Sequence, residues 1–238
     1  MNLDSLLFRP DFDSVPMAYR RTERVLQHLA ARRDAIVAAA RMIASEQGLG
    51  AVQIVPVAAR AGIAAGTVYR YFPAKTDLVQ ALIEAVSARE LAAFRKAADA
   101  APGPLSALAA GLVTFAARAL RHRRLAWAVS AEPVDAAVDA LRLAARRALA
   151  AELEARIRAA IAGGHLPEQD AAAAAGALVG LLSEGLIGPL APPADAAKAR
   201  DNVQAITLLA LRALGVVDAR ARGLVVQAAL PRQEEDAA

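Results

Sequence analysis

Between Gly66 and Lys75 the sequence GTVYRYFPAK gathers hydroxyls on Thr67, Tyr69 and Tyr71 and cations on Arg70 and Lys75. Hydroxyls donate to phosphate oxygens, and an arginine can also reach a guanine edge. Gly66 lets a backbone come close to a phosphate or a base. Only Val68 and Phe72, four residues apart, have the spacing of an inward face. Thr67, Tyr69, Arg70 and Tyr71 are therefore expected to point outward, where packing gives the two tyrosines and the arginine no role. This is the chemistry of a helix that enters a DNA groove.

The elements that must position these side chains lie on either side. Ile54 to Ala61 reads as a short helix. Pro56 is tolerated in its first turn, where the missing N–H has no partner to lose. Gln53 precedes it as a weaker N-cap than Ser, Thr or Asp. Gly62 supplies a sharp turn and Ile63 an apolar wedge. A second helix follows from Ala65 to Phe72 and ends at Pro73. Two short helices joined in this way make a helix–turn–helix. Upstream, Ala18 to Gln47 is helical by period, with Val25, Leu26, Leu29, Ile36, Val37, Ala40 and Ile43 at three- and four-residue spacings and Gly48 as its stop. Its first half carries Arg20, Arg21, Arg24, Arg32 and Arg33, either a basic arm on phosphates or a solvated face. Downstream, Lys75 opens a helix to about Ala98 whose stripe is Leu78, Leu82, Ile83, Val86, Leu91 and Phe94. Lys75 and the first N–H groups of that helix can neutralise a phosphate.

Charge supports this placement. Residues 1–75 hold 10 Lys and Arg against 6 Asp and Glu, whereas residues 76–238 hold 18 of each, so the net +4 belongs to the first third. A basic head on a neutral body fits a polyanion partner. Hydrophobic residues make up 57% of the chain but aromatics only 4%, and 65 residues are alanine. Alanine favours helix and thin helix–helix contacts, which predicts an all-α protein. With no cysteine, disulfides and thiolate metal sites are excluded, in keeping with a cytoplasmic protein. The histidines, His28, His122 and His165, are scattered. No metalloprotease, nucleophile-elbow or phosphate-loop motif appears, so we expect no enzyme, metal or cofactor. No apolar run is long enough for a membrane span, and the N-terminus lacks the pattern of a signal peptide.

The organisation read from these signals is an irregular arm over 1–17 and a DNA-binding head over 18–98, with core 30–90 and motif 53–72. A helical body over 99–215 and a tail over 216–238 complete it. The turn cluster Asp99–Ser106 separates head from body. Body helices are expected at 105–120, 121–131, 134–162, 168–187 and 195–214. The helix 168–187 is apolar on nearly every side, which requires burial all round, either in the core or against a second copy. Gly176, Gly180 and Gly185 would allow the close approach of a homodimer, as two half-sites on DNA would require. Phe94, Phe115 and Trp127 are candidates for the wall of a ligand pocket as well as for plain core. So is the apolar middle of 141–157. Glu184, the lone charge in 171–187, is either a pocket carboxylate or a solvated or paired one.

From about Arg33 to Ala92 the sequence resembles the DNA-binding domain of TetR-family transcriptional regulators. The resemblance rests on Glu46 and Gly48, then Ala61, Gly62 and Ile63, then Gly66, Thr67, Val68, Tyr69, Arg70, Tyr71, Phe72, Lys75 and Leu78. It covers about a quarter of the chain. It implies an N-terminal three-helix head and a C-terminal ligand-binding and dimerisation bundle. It implies that Thr67, Tyr69, Tyr71 and Lys75 hold the DNA backbone, with Ala65, Gly66 and Arg70 nearest the bases; Arg33 of the basic arm is a further candidate. The family usually has Thr where Gln53 stands and Ser where Ala64 stands, so these two candidate contacts have lost a hydroxyl. A lost cap costs about 1 kcal/mol. Pro56 also takes a position that is usually polar. The function so implied is a homodimeric repressor on a pseudo-palindromic operator of double-stranded DNA, released by an unidentified small-molecule effector. The helix from Lys75 to Ala98 would couple the two sites. A ligand-independent DNA-binding protein, or an activator, is the alternative.

Overall fold

Alanine and leucine at helical spacing produce helices throughout, and no strand occurs among the described residues. The computed structural model describes residues 17–133, 136–192 and 195–228. In chain order the helices are α1 (Met17–Gln47), α2 (Ile54–Ala61), α3 (Ala65–Tyr71), α4 (Lys75–Asp99), α5 (Pro104–Arg121), α6 (Arg123–Ser130), α7 (Ala136–Ala162), α8 (Ala171–Leu186), α9 (Ala199–Ala213) and α10 (Asp218–Gln227). A single 3-10 turn, Leu49–Ala51, joins α1 to α2. Among the described residues, no helix is long and apolar enough to cross a membrane.

Two apolar cores form. The first gathers Ile36, Ala40 and Ile43 of α1, Val57 of α2, Val68 of α3 and Leu78 and Leu82 of α4. Each large side chain fully buried there contributes roughly 1.5–3 kcal/mol. Leu125, Ala128 and Val129 of α6 and Val138 of α7 join this same cluster, so the body reaches into the head. The second core gathers α4, α5 and α7 to α10 around Phe94, Leu108, Leu112, Leu153, Ile157, Leu182 and Leu211. α4 carries fully buried residues of both cores, Leu82 at one end and Phe94 at the other, and α7 likewise enters the first with Val138 and the second with Leu153 and Ile157.

Several expectations shift. Val25, Leu26 and Leu29 are 53%, 60% and 46% exposed, because the first half of α1 runs on beyond the head core. The expected arm 1–17 lies outside the described residues up to 16, and Met17 is already helical. The side chains of Arg20 and Arg21 also lie outside them. α8 begins at Ala171 rather than Glu168, because the Asp170 carboxylate accepts from the N–H groups of Ala172 (2.9 Å) and Ala173 (3.0 Å). Residues 216–228 are no tail. α10 packs Ala221 and Val225 into the second core, and only 229–238 lie outside the described residues.

An ion-pair network ties α4 to α7. Glu152 accepts from Arg95 (2.6 Å) and Arg156 (2.9 Å), and Arg156 also donates to Asp99 (2.6 Å). Burial alone would raise the Glu152 carboxyl, but its hydrogen bonds from Arg95 and Arg156 outweigh that and hold it below the ordinary carboxylate value. A carboxylate depressed in the folded state stabilises above its unfolded pKa of about 4.3, and the stabilisation is lost as pH falls through the folded value. Glu152→Gln should therefore lower the melting temperature at neutral pH, and the gap should close as pH falls below about 4. Melts followed by circular dichroism from pH 7 to pH 3 test this, and a gap unchanged over that range would refute it.

Candidate DNA interface and internal cavity

α2 is fixed by burial of Ile54, Val57 and Ala58. Gly62 then takes φ +66, a left-handed conformation that favours glycine, and the Ile63 N–H returns to the Ala58 carbonyl at 3.0 Å. This turn sets α3 across α2. Val68 (0% exposed) and Phe72 (2%) fix the roll of α3 about its axis. Tyr69, at 52% exposure, and Arg70 consequently project into solvent. Gly66 is exposed, with nothing within 4 Å of where a Cβ would stand, so the protein itself makes no steric demand for glycine there. Lys75 is exposed at the first turn of α4, where the Asp77 carboxylate accepts from the Ala74 N–H at 2.9 Å.

Other candidates sit differently from the expectation. Tyr71 is half-buried and, like Ala65, packs on the first core, so its ring has a packing role. Thr67 is half-buried too. Neither Gln53 nor Ala64 caps a helix with its side chain; the Gln53 amide donates instead to the Gly50 carbonyl at 3.0 Å. Arg33 lies with its guanidinium 5.2 Å from the centre of the Phe72 ring, a cation–π contact beside the end of α3. Arg60 is held by a bidentate pair to Glu46 at 2.7 and 2.6 Å, which keeps the exposed Glu46 carboxyl below its ordinary value. Among the described residues, Arg70 and Lys75 have no ion-pair partner, so their charge is available to an outside anion.

A second site lies between α4, α5, α6, α7 and α8, a cavity of about 570 Å³ with mostly apolar walls. Phe115, Trp127 and Glu184 line it, as do Leu141 and Leu149. Phe94 does not. Its ring is fully buried against Gly111, where a Cβ would lie 2.5 Å from Cζ, so it is core. Two arginines on the wall went unnoticed in the sequence. Arg118 is buried and donates to both Glu90 oxygens at 2.7 and 2.9 Å. Arg142, 5% exposed, donates to the carbonyls of Val129 (2.9 Å), Ala128 (3.0 Å) and Glu132 (2.7 Å). Burial pulls its guanidinium below the usual arginine value, opposed by Asp139 at 3.5 Å. A signal existed for both. Arg118 continues the apolar stripe three residues after Phe115, and Arg142 lies four after Val138.

The expected interface helix α8 is not buried on all sides. Ala172, Ala173, Gly176, Ala177 and Gly180 form an exposed face of small residues, continued on α9 by Ala205 and Leu209. Gly185 belongs elsewhere: a Cβ there would lie 2.5 Å from Ile206 Cδ1 of α9, so it serves packing within the chain.

Helices throughout the described residues, an exposed, cationic third helix on a helix–turn–helix and a cavity-bearing bundle behind it make the architecture used by DNA-binding regulators. The sequence model of bacterial regulatory proteins, tetR family, matches residues 36–82. The HTH-type transcriptional repressor KstR of Mycolicibacterium smegmatis is 52% identical over 48 residues, which are 20% of this chain and 24% of that protein. KstR of Mycobacterium tuberculosis matches at the same identity over 22% of its length. The matched region thus spans about a quarter of these relatives. Over the whole fold, RolR in complex with resorcinol superposes with a TM-score of 0.61 at 22% identity, covering 87% of this chain and 98% of its own. FadR from Bacillus subtilis in complex with stearoyl-CoA gives 0.59 at 17%, covering 82% and 98%.

Proposed function

We propose that the protein is a homodimeric transcriptional repressor that binds a pseudo-palindromic operator and is released when a small molecule occupies the cavity. The observation that carries the DNA reading is the outward surface formed by Tyr69, Arg70 and Lys75, whose cations have no ion-pair partner among the described residues. Dimerisation is supported by the small-residue face of α8 and α9, which no described residue covers and which would let two copies approach closely. Ligand response is supported by the cavity, whose size falls in the range of about 300–1,000 Å³ typical of small-molecule sites. Its walls suit an aliphatic or mixed molecule with a polar end. The same fold is seen with resorcinol in RolR and with stearoyl-CoA in FadR. The cavity is what favours this reading over a ligand-independent DNA-binding protein, and the site of action is the cytoplasm.

Selection of bound sequences from random duplexes, followed by fluorescence anisotropy, tests the reading. Two protomers should bind a symmetric site. Log affinity should fall linearly with log salt, by roughly 0.9 per neutralised phosphate. No sequence preference, or an affinity indifferent to salt, would sink it.

A further inference from the structure

The side chain of Glu132, just beyond α6, reaches back to the head. Its Oε2 accepts from the Leu49 N–H at 2.9 Å and its Oε1 from the Gly50 N–H at 3.2 Å. These are the opening N–H groups of the turn Leu49–Ala51, where a carboxylate is favoured. That turn sets the path from α1 into α2, and the Gln53 amide closes it from the other side. Gly48 fits the arrangement twice. Its φ of +90 is left-handed, and a Cβ there would lie 2.8 Å from Glu132 Oε2.

The other end of Glu132 is tied to the cavity. Its own carbonyl accepts from Arg142, as do those of Ala128 and Val129 in the last turn of α6. Arg142, Trp127, Val129, Ser130 and Ala131 all line the cavity. One guanidinium in the wall therefore holds the peptide whose side chain caps a turn in the head.

We infer that Glu132 is a positioning residue that latches the α1–α2 turn to the cavity wall, with Arg142 as its anchor. Displacing Arg142 or the end of α6 withdraws the carboxylate from Leu49 and Gly50 and frees the turn that aims α2 and α3. The consequence for DNA rests on the proposed function; the latch itself does not.

Amide hydrogen exchange on the DNA-free protein tests the latch. Glu132→Ala should speed exchange at Leu49 and Gly50 on the order of tenfold, the effect of losing a charged acceptor. Arg142→Met, a change at the cavity, should do the same at those amides, and the double variant should add little. Protection at Leu178 and Leu182 of α8 reports on the global fold. If Arg142→Met loses it, Arg142→Lys is read instead, which should give a smaller rise at Leu49 and Gly50. Unchanged exchange in Glu132→Ala would overturn the cap. Unchanged exchange in the folded Arg142 variant would overturn the link to the cavity. On the selected duplex, Glu132→Ala should bind on the order of tenfold more weakly. Wild-type affinity there, despite faster exchange, would overturn control of DNA reading. Failure of the wild-type protein to bind DNA at all would instead count against the proposed function and leave the exchange result standing.

Discussion

With Tyr69 and Lys75 both replaced by alanine, DNA affinity should fall by roughly 1,000-fold while the protein stays folded, four contacts per dimer being lost at about 1 kcal/mol each. Both side chains are exposed, and neither supports a core. The melting temperature and oligomeric mass should match wild type, so the loss would be of contact rather than of structure. Tyr71 provides a contrast. Because its ring packs with the first core, Tyr71→Ala should weaken binding and also lower stability. Retention of full affinity by the Tyr69/Lys75 double variant in a mobility-shift assay would remove α3 and the start of α4 from the interface.

Gly111→Ala should be among the most damaging small substitutions in the body. The new Cβ would stand 2.5 Å from Phe94 Cζ and 2.7 Å from Cε1 and Cε2, and that ring is 0% exposed, with nowhere to retreat. Overpacking of this kind costs about 1–3 kcal/mol. Phe94→Leu alone should also destabilise, by removing ring volume. Together the two changes should cost less than the sum of each by about 0.5 kcal/mol or more, because each relieves the other. Urea unfolding of the single and double variants measures this, and strict additivity would show that residues 94 and 111 do not share the same space.

Local chemistry made the head readable. Pro56 in a first turn and Gly62 as a left-handed stop bracket α2 at Ile54–Ala61, as expected from the sequence. The four-residue spacing of Val68 and Phe72 gave the roll of α3. Tyr71 was misjudged because an aromatic beside an inward face can turn either way, and period alone does not say which. Val25, Leu26 and Leu29 keep helical period where the head has no more surface to offer, so period marks the helix there without saying what covers it. α8 was read as buried all round because alanine and glycine count as apolar whether or not anything covers them. Phe94 and Trp127 are alike as sequence, yet one fills a core and the other a cavity wall. What distinguishes the two is Gly111 opposite the first. The role of Glu132 has no local signal, since its partners, the N–H groups of Leu49 and Gly50, lie more than 80 residues away along the chain.

α4 is seated deep in both cores, and geometry gives that seat a mechanical meaning. Its 25 residues make a rod of about 37 Å. With the Phe94 end held in the body, the arm back to Lys75 is about 28 Å, and a tilt of about 5° swings the Lys75 end by about 2.5 Å, roughly a fifth of the width of a major groove. In a two-fold dimer both rods swing, and the separation of the two reading heads changes by up to twice that. Under the proposed dimeric mode of action the helix would be a lever with its fulcrum in the body, turning a rearrangement too small to unseat one side chain there into a loss of step between both heads and the DNA.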